Sequence, residues 1–258
     1  MNDLEKYFSQ NTGRLIGKWM HYFDIYDRHF ARFRDTDVTI LEIGIFQGGS
    51  LQMWKNYFGP KAKIYGIDIN PECKALEEDN IKIFIGSQSD RKFLRDIKNT
   101  IPPIDILIDD GGHTMRQQIV TFEELFPHVK ENGVYLCEDI HTSYWVKYGG
   151  GYKRRGTFIE YSKKFIDLLN AHHSEQRALK VTKFTESVDS LHYYDSVLVI
   201  EKRNREKPHA EMTGQASFQD PDELRSESEK ARRRRGRKFI NAINSVARFF
   251  RLPNIIKR

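Results

Sequence analysis

The sequence predicts an α/β protein built on a doubly wound sheet of seven strands. Five continuous apolar runs occur along the chain, as expected of parallel strands that are covered on both faces. A helical pattern follows each of the first four runs, which is the alternation of a doubly wound sheet. A final stretch, residues 190–202, predicts two more strands that turn near Asp195.

The elements follow one another in a simple order. We expect residues 1–36 to form one or two helices rich in aromatic side chains, and we interpret them as a lid. Residues 37–202 are expected to form the main domain. The predicted parallel strands are VTILEIG (38–44), AKIYGIDI (62–69), IKIFIG (81–86), IDILIDD (104–110) and GVYLCED (133–139). The predicted helices are SLQMWKNYF (50–58), PECKALEE (71–78), SDRKFLRDIKNT (89–100), TMRQQIVTFEELFPHV (114–129) and FIEYSKKFIDLLNAHH (158–173).

The positive charge of the chain is concentrated at its C-terminus. Residues 230–258 hold eleven of the 42 Lys and Arg residues and no Asp or Glu, so positions 1–229 keep 31 basic against 36 acidic residues, about −5. Residues 203–237 predict a flexible linker. Residues 238–252 predict a basic amphipathic helix. Such a helix could dock on an anionic membrane surface, pack on its own domain, or contact a neighbouring subunit in a homo-oligomer.

Composition limits the class of protein. Cys73 and Cys137 are the only cysteines, which excludes a disulfide framework or a thiolate zinc site and favours a reducing compartment. The polar N-terminus argues against a cleaved signal peptide, and no apolar run approaches the ~18 residues of a membrane span. We therefore expect a cytoplasmic protein, with peripheral membrane contact through the basic helix as the alternative.

The first predicted strand leads into a glycine-containing loop, LEIGIFQGGS. Its candidate ligand-binding residues are Glu42, Gly44, Gly48 and Ser50. Glycines let the backbone approach a ligand closely, and the N-terminus of the following helix favours an anionic group. The spacing differs from the dinucleotide pattern and resembles the glycine loop of class I S-adenosylmethionine-dependent methyltransferases. The alternative is a plain tight turn.

Polar residues also follow the second and third strands. Asp68 could accept both ribose hydroxyls of a nucleoside. Gln88 and Asp90 could hydrogen-bond an adenine edge. Each residue alone could equally cap the next helix. Since three strand ends carry such residues in register, the pattern favours a nucleoside cofactor.

An acidic group follows the fourth and fifth strands. Asp109, Asp110 and His113 leave one strand, while Glu138 and Asp139 leave its expected neighbour. Four carboxylates at one edge of a sheet repel one another unless a cation lies among them, and oxygen ligands suit Mg²⁺. His113 could then take the proton of a substrate hydroxyl. The alternative is that these side chains satisfy loop backbone groups or face water.

DDGGH followed by CEDIHTSYW resembles the metal-dependent sugar O-methyltransferases of macrolide biosynthesis and their cephalosporin-hydroxylase-like relatives. The resemblance covers residues 18 to about 202, including KWMHYFDIYDRHF. It implies a Rossmann-like methyltransferase domain, S-adenosylmethionine and Mg²⁺ as cofactors, and a sugar hydroxyl of a glycan, glycolipid or glycosylated natural product as acceptor. It further implies that Asp110, Glu138 and Asp139 bind the metal, that His113 is the general base, and that Asp109 borders the cofactor's methionine part.

Other functions fit the pattern less well. The glycine spacing and the carboxylates disfavour a Rossmann dehydrogenase. A nucleic-acid methyltransferase is encouraged by the RRRRGRK run, but the acidic body predicts no matching basic face, so nucleic acid is not an expected partner. A non-catalytic binding module would leave the acidic group and His113 without a role. The resemblance does not carry over the identity of the acceptor or the oligomeric state.

Overall fold

The computed structural model describes residues 1–218 and 226–250, which fall into two units, Met1–Pro208 and His209–Arg258. The first unit contains a seven-stranded sheet. Its strands are β1 (Thr39–Ile43), β2 (Lys63–Asp68), β3 (Ile81–Ile85), β4 (Ile104–Asp109), β5 (Val129–Cys137), β6 (Val188–Tyr193) and β7 (Leu198–Lys202). The strand order is β3-β2-β1-β4-β5-β7-β6, with β1 to β5 parallel and β7 antiparallel to both its neighbours. The predicted doubly wound, Rossmann-like fold is confirmed.

Helices cover both faces of this sheet. They are α1 (Asp3–Ser9), α2 (Tyr22–Phe30), α3 (Gly49–Phe58), α4 (Arg91–Thr100), α5 (Met115–Leu125), α6 (Phe158–Ser162), α7 (Lys164–Leu169) and α8 (Lys183–Ser187). Short 3₁₀ helices lie at Ala31–Phe33, Pro71–Leu76, Phe126–His128, Ile140–Tyr144, Val146–Tyr148 and Ala171–His173. The predicted N-terminal helical region therefore contains two α-helices, α1 and α2. The segment between them has no regular structure and leads directly to the site described below.

The core is divided between the two faces of the sheet. On one face, the aromatic side chains of α2 and α3 pack together, with Tyr26 and Trp54 edge to face and their ring centroids 5.2 Å apart. On the other face, Phe122 of α5 packs against Phe165 of α7 with the two rings tilted and their centroids 4.5 Å apart. Every residue of β1 is buried, which explains why this strand reads as a continuous apolar run.

Local sequence signals determine where several helices begin. The side chain of Thr114 caps α5 and forms a capping box with Gln117. Asp90 caps α4 by accepting hydrogen bonds from the backbone N–H groups of Lys92 and Phe93. Gly48 precedes α3 with a positive φ of 73°, a conformation that glycine adopts without strain.

Three elements differ from their prediction. Residues 71–78 form only a 3₁₀ helix, Pro71–Leu76, because the Glu77 side chain accepts the N–H of Ile83 and turns the chain back into β3. The predicted helix over residues 158–173 is split into α6, α7 and a 3₁₀ turn. Strand β5 begins at Val129 rather than at Gly133.

The described residues of the second unit include one helix, α9 (Glu227–Phe249). It begins eleven positions before the predicted start at residue 238, so the basic run from Arg232 to Arg235 is helical rather than part of a linker. Residues 203–218 contain neither a helix nor a strand, and residues 219–225 and 251–252 of the predicted linker and tail helix lie outside the described residues. Within the described parts of the chain, no helix combines the length and apolar character needed to cross a membrane.

Candidate active site

The carboxyl ends of β1, β4 and β5 lie side by side. In the register of the sheet, Ile43 pairs with Asp109 and Asp109 pairs with Cys137. The backbone pairing continues one residue further, since the N–H of Asp110 donates to Ile43 and that of Glu138 donates to Asp109. The sheet therefore brings the acidic residues after β4 and β5 together at one edge, beside the glycine loop after β1.

A cavity of about 520 Å³ opens at this edge. Its walls include Gly44, Asp68, Gln88, Gly111, His113 and Asp139. A second cavity of about 280 Å³ adjoins it and shares Gly17, Asp110 and Asp139. Because the two cavities share these residues, a ligand in the first lies next to a ligand in the second.

Gly44 lets two loops approach each other at the floor of the larger cavity. Its φ is +84°, and a Cβ atom there would lie 2.1 Å from the backbone oxygen of Asp110. No side chain fits at this distance, and the φ value would strain any residue other than glycine. The glycine is therefore required by the approach of the loop after β1 to the loop after β4.

Asp68 is oriented by backbone groups. Its Oδ2 accepts the N–H groups of Ile45 and Phe46, both at 3.1 Å, and its Oδ1 accepts the N–H of Asn70 at 2.9 Å. The carboxylate is thus held at the cavity wall by the loops after β1 and β2. Carboxylate oxygens have further lone pairs that a ligand hydroxyl could use.

Besides Asp109, which is described below, four of the predicted cofactor residues do not line the larger cavity. Glu42 is fully buried and its Oε2 accepts the Ser50 hydroxyl at 2.8 Å, so these two side chains are bonded to each other rather than to the cavity. Gly48 is the residue before α3 and faces Leu76. Asp90 caps α4, which was the alternative to a contact with an adenine edge. Direct contact of these four with a cofactor in the larger cavity is therefore not supported.

Gln88 and Asp109 form a buried network that shapes the DDGG turn. The Gln88 amide donates to Asp109 Oδ1 at 2.9 Å and its carbonyl accepts the Gly112 N–H at 2.7 Å. Gln88 lines the cavity, but its amide is used by the protein rather than left for an adenine edge. Asp109 is 1% exposed and does not line the cavity, and burial raises its pKa to about 7.

A buried lysine lies between the carboxylates that follow β4 and β5. Lys18 Nζ is 2.5 Å from Asp110 Oδ2 and 2.9 Å from both oxygens of Glu138, while Glu42 Oε1 is 3.9 Å away. The Tyr26 hydroxyl donates to Glu138 Oε1 at 2.6 Å. The side chain of Lys18 is only 3% exposed, so its buried charge requires this acidic group as a partner.

Asp139 and His113 face each other across the mouth of the cavity. The imidazole Nε2 of His113 is 3.5 Å from Asp139 Oδ2 and 3.9 Å from Asp110 Oδ1. Both Asp139 and His113 have a positive φ, 53° and 54°, which is uncommon outside glycine and often marks a functional site. The Tyr22 hydroxyl donates to Asp139 Oδ1 at 2.6 Å and fixes that carboxylate.

Burial and like charges shift the ionisation of this group. Burial, followed by the charge of Asp110, raises the pKa of Glu138 to about 8, although Lys18 opposes the shift. Burial raises the pKa of Asp110 to about 6, again against Lys18. Burial alone would lower the pKa of Lys18, but its two carboxylate partners raise it above the ordinary range. Burial lowers the pKa of His113, so this imidazole is neutral at pH 7.

These residues fit a hard divalent cation. Ligand atoms of Asp110, His113 and Asp139 lie within 4.8 Å of one another, and the oxygens of Glu138 adjoin them on the other side of Lys18. A buried ammonium among these carboxylates shows that the site favours positive charge. Among the residues that the structure describes, none forms a hydrogen bond with the buried His113 Nδ1 atom, so the ring is not committed to a structural contact there. Glu138 itself is held by Lys18 and Tyr26 and is not part of the three-residue group.

The N-terminal segment contributes residues that the sequence analysis did not assign. Lys18, Tyr22 and Tyr26 all lie in the stretch KWMHYFDIYDRHF and touch carboxylates more than ninety positions away. Charge balance could have indicated Lys18, because a buried acidic group requires a cation. Lys18 also lies in KWMHYFDIYDRHF, a stretch that carries the family resemblance. The predicted lid is therefore part of the site.

The chain is similar to known methyltransferases. Residues 41–140 match the methyltransferase-domain family. An 8-demethyl-8-α-L-rhamnosyl tetracenomycin-C 2′-O-methyltransferase of Streptomyces olivaceus is 39% identical over 72% of this chain and 52% of its own length. A mycinamicin VI 2″-O-methyltransferase of Micromonospora griseorubida is 35% identical over 78% of this chain and 52% of its own length.

A solved structure supports the same relationship. MycE methyltransferase from the mycinamycin biosynthetic pathway, in complex with Mg, SAH and mycinamycin VI, matches with a TM-score of 0.71 and 33% identity over 79% of this chain and 54% of that one. The chain thus spans about half the length of the relatives it matches. The sheet order, the family match and these similarities together identify the chain as a class I methyltransferase related to the sugar O-methyltransferases of antibiotic pathways.

Proposed function

We propose that this protein transfers a methyl group from S-adenosylmethionine to a sugar hydroxyl, with Mg²⁺ as an essential ion. The acceptor class is a glycan, a glycolipid or a glycosylated natural product. The observation that carries the proposal is the meeting of Asp110, Asp139 and His113 at the mouth of a cavity large enough for a nucleoside. The similarity to a methyltransferase solved with Mg, SAH and mycinamycin VI supports it.

The larger cavity is the proposed cofactor site. Asp68, held by three backbone N–H groups, would accept the ribose hydroxyls, and Gly44 would leave room for the methionine part. Gln88 and Asp109 would act indirectly, since they shape the turn from Asp110 to His113. This division separates residues that touch the cofactor from residues that position the loop.

His113 is the proposed general base. Its lowered pKa keeps the imidazole unprotonated at neutral pH, and Nε2 faces the side of the site where Asp110 and Asp139 meet. As the acceptor oxygen forms its bond to the methyl carbon, the carbon–sulfur bond breaks and S-adenosylhomocysteine leaves. The hydroxyl proton passes to His113 Nε2.

Asp110, Glu138 and Asp139 would hold the metal ion. When bound, a divalent ion lowers the pKa of an acceptor hydroxyl and orients it. Tyr22 and Tyr26 would orient Asp139 and Glu138 through the hydrogen bonds described above. Lys18 would have to share the carboxylates with the metal.

Metal dependence is the direct test of this proposal. EDTA-treated protein, S-adenosylmethionine and a rhamnoside acceptor should give no methylated product by mass spectrometry, and Mg²⁺ should restore it. The rhamnoside is chosen because the tetracenomycin relative acts on a rhamnosyl compound. Full methyl transfer in the presence of EDTA would remove the metal from the mechanism.

For the second unit we propose peripheral contact with an anionic membrane surface. The observation that supports it is that the basic run from Arg232 to Arg235 belongs to a 23-residue helix, α9. In a helix, four consecutive side chains point around about one full turn, so this run surrounds that part of α9 with positive charge. Each basic residue near anionic headgroups contributes about 1 kcal/mol. Association through α9 with a second copy of the chain is the alternative outcome.

A further inference from the structure

The loop that follows β5 carries an unusual concentration of positive charge. We call residues 144–156 the basic loop. It contains Lys147, Lys153, Arg154 and Arg155 and no acidic residue, within a part of the chain that is acidic as a whole. All four side chains are exposed. Among residues 1–218 and 226–250, no carboxylate lies within ion-pair distance of any of them.

The two lysines of the loop lie against aromatic rings instead. Lys147 Nζ is 5.2 Å from the ring centre of Trp145 and 5.1 Å from that of Tyr148, and Lys153 Nζ is 5.3 Å from that of Tyr152. Cation–π contacts of this kind position an ammonium group without neutralising it. The charges of the basic loop therefore remain available to an anion.

A row of rings joins the basic loop to the acidic site. Trp19 lines the smaller cavity together with Asp110, Glu138 and Asp139. Its ring centre is 6.2 Å from that of His141, which in turn is 4.6 Å from that of Trp145. The first ring is next to the proposed metal ligands and the last is next to Lys147.

The backbone holds the loop in this place. The N–H of Gly151 donates to the Ser143 carbonyl at 2.8 Å, and that of Gly150 donates to Trp145 at 3.0 Å. A Cβ atom at Gly150 would lie 2.4 Å from the Thr142 oxygen, so only glycine allows the loop to fold back this closely. The cations are thus carried on an anchored loop that the row of rings connects to the smaller cavity.

We propose that the basic loop binds a phosphate group of the acceptor, so that the acceptor is a phosphorylated glycoside. This inference rests on the proposed function. The sugar would lie against Trp19 with its hydroxyl toward His113, and its phosphate would extend past Trp145 to Lys147 and the arginines. The acidic group repels an anion, so a negatively charged acceptor needs cations that stand apart from it, as the basic loop does. Lysine and arginine bind phosphate through charge-assisted hydrogen bonds.

The test compares a charged with a neutral glycoside. Rhamnosyl phosphate and methyl rhamnoside are titrated into protein loaded with S-adenosylhomocysteine and Mg²⁺, and binding is followed by tryptophan fluorescence. Trp19 and Trp145 are exposed reporters, whereas Trp54 is buried. Rhamnosyl phosphate should bind at least ~10-fold more tightly, since a hydrogen bond to a charged group contributes about 1.5–3 kcal/mol.

Matched variants assign the effect to the loop. The triple variant Lys147→Gln, Lys153→Gln, Arg155→Gln should bind both glycosides equally, with the affinity for methyl rhamnoside unchanged. Arg154 is kept because it donates to the Gly150 carbonyl. The control variant Lys61→Gln, Lys63→Gln, Lys82→Gln removes the same charge in and just before β2 and in β3, which lie at least three strands from β5. It should keep the preference for rhamnosyl phosphate. Equal binding by the wild type, failure of rhamnosyl phosphate to bind, or an unchanged preference in the loop variant would overturn the proposal.

Two further measurements are needed. One asks whether the phosphate belongs to a lipid-linked or a soluble glycoside, and the other tests the proposed function separately from the phosphate subsite. Polyprenyl-diphosphate-linked rhamnose in phosphatidylcholine vesicles is compared with soluble rhamnosyl phosphate, and either preference supports the basic loop while identifying the source. Methyl transfer to methyl rhamnoside is measured separately. Methyl transfer that does not require Mg²⁺ would refute the proposed function. Equal affinity for the charged and neutral glycosides would refute only the phosphate subsite.

Discussion

The two halves of the ligand-binding edge are built in different ways. After β1 and β2, Asp68 is held by backbone N–H groups of residues no more than 23 positions away. After β4 and β5, the carboxylates of Asp110 and Glu138 are held by Lys18 and Tyr26, at separations of 92 to 120 positions. One half is ordered by its own loops, and the other depends on the N-terminal segment. The acidic half should therefore respond more strongly to changes far away in sequence.

Lys18→Met should give the largest effect on stability. Removing one partner of a buried ion pair leaves like charges uncompensated, and we expect a loss of about 3 kcal/mol in the free energy of unfolding at pH 8 in EDTA. Mg²⁺ should restore more stability to the variant than to the wild type. Thermal and urea denaturation with and without Mg²⁺ measure both quantities.

The matched control for this change is Lys55→Met, because Lys55 is 36% exposed and pairs with Glu78 at 3.2 Å on the surface. It should cost less than about 1 kcal/mol and show no altered response to Mg²⁺. Equal stability losses in the two variants would mean that the acidic half does not depend on Lys18.

His113→Ala should lower the turnover number about 10²-fold or more while cofactor affinity is kept, since a general base contributes 10²–10⁴. In the wild type, the lowered pKa of His113 predicts that turnover is lost as the pH falls through a value below 6.5, because the protonated ring cannot accept a proton. The pH profile and calorimetry check both statements. His128→Ala, which removes an imidazole bonded to the Ile101 and Pro102 carbonyls, serves as control. Near wild-type turnover of the His113 variant would require another base.

Asp68→Asn should weaken S-adenosylmethionine binding roughly 10-fold, because a neutral amide replaces a charged acceptor for the ribose hydroxyls. Metal affinity should not change, since the acidic half is built separately. Asp90→Asn is the matched control and should leave cofactor affinity unaltered, because Asp90 caps α4. Calorimetric titration of both variants decides the point, and equal affinities would contradict the ribose assignment.

Deleting residues 226–258 should have the smallest effect on catalysis. Turnover with a soluble acceptor should stay within about twofold of the wild type, while sedimentation with anionic liposomes at physiological salt is lost with the basic residues of α9. Full-length protein that does not sediment with such liposomes would refute membrane contact. A change of oligomeric state on deletion would instead favour a helix that packs on a second copy.

The polar residues at the carboxyl ends of the parallel strands show which parts of the site could be predicted from the sequence. Asp110, His113 and Asp139 were predicted to meet because parallel strands end at one edge, and the structure brings them together. Glu42, Ser50 and Asp90 were chosen on the same argument but are used by the protein itself, in one buried hydrogen bond and one helix cap. Position at a strand end does not determine the direction of a side chain, and a polar residue there satisfies whichever donor lies nearest.

The sequence by itself determined the order of strands and helices, the turn at DDGG and the gathering of acidic residues, because these follow from hydrophobic pattern, glycine conformation and the direction of parallel strands. Only the tertiary structure decided that Lys18, Tyr22 and Tyr26 complete the acidic half and that the basic loop stands beside it. Such contacts join residues that are distant in the chain, and no local pattern marks them. They form because a buried charge must find a partner wherever the fold supplies one.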